Sequence, residues 1–87
     1  MNISKEEQRV LHVLAQGGHI RHSRGPNGRI IDAECIAHDG SILLGCSLDV
    51  IRKLRSKRLI ESRESGPYRI SLAGRRAVRA QSDNRVR

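Results

Sequence analysis

Aromatic residues are nearly absent from this chain of 87 residues: it has one tyrosine, Tyr68, and neither phenylalanine nor tryptophan. This absence excludes the nucleic-acid-binding proteins that stack bases on paired aromatic rings, such as RNA-recognition sheets and sequence-tolerant single-strand binders. It also requires a hydrophobic core built from aliphatic side chains. If the protein binds nucleic acid, duplex DNA is therefore the expected form.

Cysteine is scarce, and long apolar runs are missing. Two cysteines, Cys35 and Cys46, are too few for a disulfide scaffold. No run of about 18 apolar residues is present, so no transmembrane helix is expected. Residues 1–7 lack the charged-then-apolar layout of a secretory signal. We therefore expect a single cytoplasmic domain with no membrane partner.

Positive charge is in excess, and it is concentrated in the second half of the chain. Residues 52–87 contain 12 Lys or Arg against 3 Asp or Glu, a net charge of +9. Residues 1–51 contain 5 against 6, a net charge of −1, and the two parts add to +8. Such asymmetry indicates a polyanionic partner, either nucleic acid or an acidic protein surface.

The chain opens with the pattern of an amphipathic helix. Ser4 and Glu7 have the spacing of a capping box, in which two backbone donors are satisfied reciprocally. Apolar residues then recur at helical spacing, and Gly17–Gly18 can adopt the left-handed conformation that ends a helix. The pattern predicts a helix from Ser4 to Gln16.

A β-hairpin is expected next, with its turn at the Gly-Pro-Asn-Gly sequence of residues 25–28. Its strands are residues 19–24 and 29–38, and the second strand alternates apolar and polar side chains as a half-buried antiparallel strand does. The expected buried face of that strand consists of Ile31, Ala33, Cys35 and Ala37. Residues 41–44 fit a short third strand.

The second half of the chain predicts a helix, a second hairpin and a last helix. Ser47 is suited to cap a helix, which we expect over Ser47–Leu59. Residues 60–64 and 68–72 then alternate as two strands around a tight turn, and residues 73–80 can form a short helix.

These elements predict an α+β fold with one small winged-helix-like domain at residues 1–80. The expected order is helix, β-hairpin, helix, β-hairpin as the wing, and a short C-terminal helix. In this arrangement the first hairpin occupies the place of the usual second helix. Residues 81–87 have no apolar pattern and are expected to form a disordered basic tail.

The helix expected over Ser47–Leu59 has a basic face opposite its apolar stripe. In winged-helix proteins this helix enters the major groove while side chains of the wing contact the phosphate backbone. A solvated face that keeps a small protein soluble is the alternative interpretation. The residues expected to bind nucleic acid or a partner are Arg52, Lys53, Ser56, Lys57, Arg58, Arg63, Arg69, Arg75 and Arg76.

Two short motifs have spacings that resemble zinc sites: His19-x-x-His22 and Cys35-x-x-His38. Residues three apart in a strand point to opposite faces, so neither pair could close on one ion, and we expect no metal and no cofactor. Cys35 is expected to act as a small buried hydrophobe. For Cys46, beside a helix start, both a reactive thiol and a buried small residue remain open.

No arrangement of residues typical of an enzyme is found. The glycine pairs fit helix ends and turns rather than a phosphate-binding loop. Asp32 and Glu34 share the polar face of a predicted strand, where carboxylates are solvated or paired with arginine. Nothing combines a nucleophile, a base and an oxyanion site, so we expect a protein without enzymatic activity.

Three segments together resemble the YjhX-type family of small bacterial proteins: NISKEEQRVLHVLAQGGHIRH, DAECIAHDGSILLGCSLDVIRKLRSKRLI and GPYRISLAGRRAVRAQSDNR. The resemblance extends from Asn2 to about Arg85. It implies a toxin of a toxin–antitoxin pair that inhibits DNA topoisomerase I. The implied partners are the topoisomerase, its DNA and an antitoxin protein, and no catalytic residue is implied.

Three functional hypotheses follow. The first is a binding protein that acts as a toxin and inhibits DNA topoisomerase I by engaging the enzyme, its DNA or both. The alternative is a winged-helix transcriptional regulator that binds duplex DNA through Arg52, Lys53, Ser56 and Lys57. A third hypothesis is a metal-linked or redox-linked module that uses Cys35, His38 and Cys46.

Overall fold

The computed structural model describes the backbone of residues 2–85 and the side chains of residues 2–79. Within that range it is an α+β domain of three helices and one five-stranded antiparallel sheet, which confirms the predicted fold class. The elements in chain order are α1 (Lys5–Ala15), β1 (His19–Arg24), β2 (Ile30–Ile36), β3 (Ile42–Leu43), α2 (Leu48–Ser56), β4 (Ile60–Ser62), β5 (Tyr68–Ile70) and α3 (Leu72–Arg85).

The two hairpins belong to one sheet, whose strand order is β3-β2-β1-β5-β4. The junction between them is the pair formed by Ile20 of β1 and Tyr68 of β5. Residues directly opposite in an antiparallel pair place their side chains on the same face. The second hairpin is therefore fixed to the first, and its aromatic ring lies on the same face as the buried Ile20 side chain.

Local capping interactions set the beginnings of the first two helices. The Glu7 backbone N–H donates to Ser4 Oγ at 3.1 Å, and the Ser4 N–H donates to Glu7 Oε1 at 2.9 Å, so the predicted capping box is confirmed. Ser47 caps α2, since its Oγ accepts from the Val50 N–H at 3.2 Å. Each cap satisfies donors that a helix terminus otherwise leaves free.

The core lies between the sheet and the helices and is aliphatic apart from one ring. Ala33 packs against the core and Cys35 is fully buried, as predicted for that strand face. Tyr68 is the single aromatic member and is 5% exposed. The buried apolar residues are Val10, Leu11, Leu14, Ile20, Ile30, Cys35, Val50, Ile51, Leu54, Leu59, Ile60, Tyr68 and Ile70.

One prediction for β2 is wrong: Ile31 does not face the core. Ser23 pairs with Asp32, but Arg24 pairs with Ile30, so the register shifts and Ile31 is the extra residue of a β-bulge. Because a one-residue shift exchanges the two faces of a strand, Ile30 is 6% exposed and Ile31 is 60% exposed. The bulge lies next to Arg24, near the tip of the β1–β2 hairpin.

The last helix, α3, extends to Arg85 and is longer than the predicted helix of residues 73–80. It also begins one residue earlier than expected, because the Ser71 hydroxyl accepts from the Gly74 N–H at 3.1 Å. The division into a domain of residues 1–80 and a disordered tail of residues 81–87 stays a prediction, and the last two residues lie outside the described part. Over the described residues, none of the helices has the length and apolarity needed to cross a bilayer.

Candidate anion-binding cleft

A cleft of about 530 Å³ lies between the tip of the β1–β2 hairpin and helix α2. Four arginines line it, two from the hairpin and two from the helix, and among the described residues of its lining none is acidic. We call it the arginine cleft. Its lining residues are Arg24, Gly28, Arg29, Ile30, Arg52 and Arg55.

Helical spacing explains the contribution of α2. Arg52 and Arg55 are three residues apart, so they are neighbours on one helix surface. Ile51 and Leu54 immediately precede them and are almost completely buried, at 1% and 0% exposure. The helix is therefore anchored on the core by one stripe while the adjoining stripe presents two guanidinium groups to the cleft.

The hairpin holds Arg24 in a fixed position. Its Nη1 donates to the carbonyl oxygen of Gly28 at 2.7 Å, and its Nη2 lies 3.3 Å from the Tyr68 hydroxyl oxygen. The guanidinium of Arg55 lies over the same ring, with its Cζ 5.7 Å from the ring centroid. Within about 6 Å such a cation is attracted by the ring. Tyr68 thus contacts arginines from both walls of the cleft.

His22 packs beside the same tyrosine, with ring centroids 4.8 Å apart. Burial lowers the pKa of His22 below its ordinary value of 6.5, and the positive charges of Arg24 and Arg55 lower that pKa further. Its Nδ1 atom is buried and has no hydrogen-bond partner among the described residues. Both effects favour the neutral form of the imidazole, which keeps a further positive charge away from the arginines.

Of the predicted binding residues on α2, only Arg52 lines the arginine cleft. Lys53 lies 3.3 Å from Asp49 in an exposed ion pair. Lys57 is paired with Glu7 at 2.8 Å, against the start of α1. Lys53 and Lys57 together line a different groove, next to the first residues of the chain. The basic face predicted for this helix is therefore divided between two sides of the molecule.

The predicted wing arginines form a second group. Arg63, Arg69 and Arg75 line a smaller cleft of about 310 Å³ near the β4–β5 turn. This cleft contains an acidic side chain as well, because Glu61 also lines it and lies 3.8 Å from Arg63. Its positive charge is therefore partly neutralised.

Three further predicted residues line neither cleft. Ser56 donates from its hydroxyl to the Lys53 carbonyl oxygen at 3.5 Å. Arg58 has a positive φ of 59° in the turn after α2, and its carbonyl oxygen accepts from the Ser71 hydroxyl at 2.7 Å. Arg76 is exposed on α3.

Sequence reasoning missed Arg24, Arg29 and Arg55 as site residues. A usable signal was present for the first two, because they flank the Gly25–Gly28 turn and a tight turn brings its flanking residues together. For Arg55, the signal was its position three residues after Arg52 on a predicted helix.

The cysteines and histidines do not form a metal site in the part of the chain with described side chains. No group of three or more His, Cys, Asp or Glu side chains there could hold a metal ion. Cys35 is buried, as expected for a small hydrophobe, and Cys46 is partly buried. A hydrogen bond between the two thiols, together with burial, raises the pKa of Cys35, and the same hydrogen bond lowers the pKa of Cys46.

Comparison with known proteins identifies the family. A family model named YjhX toxin and described as "putative toxin of bacterial toxin-antitoxin pair" matches residues 1–85. The chain belongs to this family. The YjhX toxin model covers the elements that build the arginine cleft as well as the second cleft, and its description names no enzymatic activity.

Relatives of the YjhX toxin family match the chain over nearly its whole length. A UPF0386 protein of Beijerinckia indica is 66% identical over 85 residues, which cover 98% of this chain and 100% of the relative. UPF0386 proteins of a Ruegeria species and of Brucella anthropi are 64% and 59% identical, with the same coverage. No solved structure matches the chain.

Proposed function

We propose that this member of the toxin family acts by binding and inhibits DNA topoisomerase I by occupying the DNA on which the enzyme works. The observation that carries the proposal is the arginine cleft, with Arg24, Arg29, Arg52 and Arg55 around one opening. Guanidinium groups bind phosphate oxygens through paired hydrogen bonds, and such contacts dominate affinity for duplex DNA. Competition for the phosphate backbone would block relaxation without any catalytic step by this protein.

The state of these arginines supports a role in binding. None of the four forms a salt bridge with a described residue, whereas Lys53, Lys57 and Arg63 each have a carboxylate partner. An ion pair reduces the charge that a phosphate would experience. The arginine cleft therefore groups four arginines without a carboxylate partner among the described residues, whereas the second cleft also contains Glu61.

The winged-helix-like arrangement belongs to this proposal. Helix α2 is followed directly by the β4–β5 hairpin, which is the order of a recognition helix and a wing. If the arginine cleft binds the phosphate backbone of one DNA segment, the second cleft would supply further phosphate contacts through Arg63, Arg69 and Arg75. An antitoxin would neutralise the toxin by covering the same basic surface, and both would act in the cytoplasm.

A transcriptional regulator is the second candidate function, and one observation favours it. Arg52, Lys53 and Ser56 are exposed on α2, where they could reach base edges in a major groove. A regulator prefers one DNA sequence by several orders of magnitude over random duplex, whereas the toxin mechanism requires only backbone contacts. Competition with random duplex DNA separates the two functions.

A plasmid-relaxation assay with purified DNA topoisomerase I tests the proposed function. We expect the protein to slow relaxation, and an Arg52→Ala/Arg55→Ala variant to inhibit much more weakly. The matched control is Lys53→Ala/Arg76→Ala, which removes the same charge outside the cleft. Full relaxation in the presence of excess wild-type protein would reject inhibition, and equal inhibition by both variants would reject the cleft as the site.

A titration of labelled duplex DNA at several salt concentrations tests the binding step by itself. Each phosphate contact contributes about 0.9 to the slope of log K against log salt concentration, so loss of two contacts lowers the slope by about 2. We expect this reduction for Arg52→Ala/Arg55→Ala. Tight binding of one sequence that random duplex cannot displace would instead favour the regulator.

A further inference from the structure

The two cysteines form a second chemical group, separate from the arginine cleft. Cys35 is in β2 and has no exposed surface, whereas Cys46 is partly exposed in the loop just before the α2 cap, Ser47. Cys46 packs against the buried cluster that contains Cys35. Strand pairing explains their proximity, since Cys35 lies opposite Leu43 and Cys46 follows Leu43 by three residues.

The two thiols differ in reactivity because Cys35 is fully buried whereas Cys46 is partly exposed, and the hydrogen bond between them adds to this difference. In this bond the Cys35 S–H donates to the Cys46 sulfur, which stabilises a Cys46 thiolate and lowers the pKa of Cys46. The hydrogen bond and burial both keep Cys35 protonated. A thiolate is the nucleophilic form of cysteine, so the partly exposed Cys46 is the member of the pair that reacts first with an oxidant.

We propose that Cys35 and Cys46 are a reversible oxidation site, in which a peroxide converts the thiol pair to an intramolecular disulfide. In the first step the Cys46 thiolate attacks one peroxide oxygen, which breaks the O–O bond and gives a Cys46 sulfenic acid. For hydrogen peroxide, the hydroxide that leaves takes up a proton and becomes water. The sulfur is oxidised and the peroxide is reduced.

In the second step Cys35 acts as the resolving cysteine. Once Cys46 is a neutral sulfenic acid, the thiolate that held the Cys35 proton is gone, and Cys35 can lose that proton. Its sulfur then attacks the Cys46 sulfur and displaces the hydroxyl group, which leaves as a second water. The sum is two thiols and one hydrogen peroxide giving one disulfide and two water molecules, and a dithiol reductant reverses it.

The disulfide would close the loop of residues 36–45, which contains β3 and the turn before α2. Closing a loop restricts the unfolded chain more than the folded one, where Cys46 already packs against the cluster that contains Cys35. Oxidation would therefore link Cys46, and with it the start of α2, covalently to Cys35 in strand β2. Because α2 carries Arg52 and Arg55, the oxidised form holds one wall of the arginine cleft more firmly.

Intact-mass spectrometry of the purified protein after treatment with one equivalent of hydrogen peroxide tests the proposal. We expect the monomer to lose two hydrogen atoms, to have no thiol that iodoacetamide can alkylate after unfolding, and to regain both thiols with dithiothreitol. The oxidised form should also melt at a higher temperature than the reduced form. A monomer that only gains oxygen, or a disulfide-linked dimer, would overturn the proposal.

Two single variants separate the roles of the thiols. In Cys35→Ser the Cys46 sulfenic acid has no resolving partner, so dimedone should trap it on Cys46. In Cys46→Ser the remaining buried Cys35 should stay reduced under the same treatment. Dimedone labelling of Cys35 in preference to Cys46 would overturn the assigned order. The wild-type mass measurement decides the disulfide itself, even if a variant folds poorly.

Discussion

Glu7 and Lys57 form an ion pair in which both carboxylate oxygens accept from the ammonium group, with the Lys57 Nζ atom 2.8 Å from one oxygen and 3.0 Å from the other. The Glu7 side chain is only 2% exposed. The same ammonium group donates to the Asn2 carbonyl oxygen at 2.6 Å. Lys57 therefore joins the end of α2 to the capping box of α1.

The first prediction concerns this pair. Lys57→Met should lower the free energy of unfolding by about 2–3 kcal/mol, because it leaves the buried Glu7 carboxylate without its cation. Denaturant unfolding followed by circular dichroism measures the change. Lys53→Met is the matched control: its partner Asp49 is exposed, so the loss should stay below about 1 kcal/mol. Equal losses in the two variants would contradict the role assigned to Lys57.

The second prediction concerns pH. Burial alone would raise the pKa of Glu7, but hydrogen bonds from Lys57 and Ser4 outweigh it and hold that pKa below the ordinary value of 4.5. A carboxyl group with a lowered pKa in the folded state stabilises fully above pH 4.5, and this stabilisation is lost as the pH falls through the folded-state value. The free energy of unfolding should therefore decline more steeply below pH 4.5 in the wild type than in Glu7→Gln. Parallel declines would show that Glu7 does not contribute.

Local features of this chain could be predicted from sequence, and features that depend on tertiary contacts could not. The Ser4–Glu7 capping box and the Ser47 cap involve residues three apart, so their spacing alone indicates them. The position of Lys57 depends on Glu7, fifty residues away, and the exposure of Ile31 depends on a register shift in the hairpin. The sequence showed where the positive charge is concentrated, but the grouping of Arg24 with α2 required the packed structure.

The third prediction concerns Gly74 in the first turn of α3. A Cβ atom there would lie 2.2 Å from the Leu59 carbonyl oxygen and 2.7 Å from Ile70 Cγ1. In an open helix, replacing glycine by alanine stabilises by about 1 kcal/mol. Here Gly74→Ala should instead destabilise the protein by about 1–3 kcal/mol, because the helix has to move off the Leu59 backbone. Thermal unfolding measures the change.

The neighbouring Ala73 provides the control for Gly74. It is exposed in the same turn, so Ala73→Gly tests helix propensity without a packing effect. This variant should lose only about 0.5–1 kcal/mol. A melting temperature of Gly74→Ala above that of the wild type would show that α3 does not approach Leu59 as closely as described.

The fourth prediction concerns Tyr68 as the residue that holds the arginine cleft in place. Tyr68→Phe removes the oxygen that faces Arg24 and keeps the ring beneath Arg55. The guanidinium then keeps only its hydrogen bond to the Gly28 carbonyl and has to be ordered further when phosphate binds. The affinity for duplex DNA should therefore fall about fivefold, equivalent to about 1 kcal/mol. Fluorescence anisotropy of a labelled duplex measures the affinity, and an unchanged Kd would contradict the prediction.

The fifth prediction uses the fact that Tyr68 is the only aromatic residue other than histidine in the chain. Selective ¹³C labelling of tyrosine therefore produces one set of ring signals, which arises from a residue in contact with Arg24 and Arg55. Titration with duplex DNA should shift these signals in the wild type, because phosphates that bind the two guanidinium groups change the field at the ring. The shift should be smaller in Arg52→Ala/Arg55→Ala, where only Arg24 still contacts the ring, and unchanged in Lys53→Ala/Arg76→Ala. Ring signals that stay in place while DNA binds would mean that the DNA contacts a surface other than the arginine cleft.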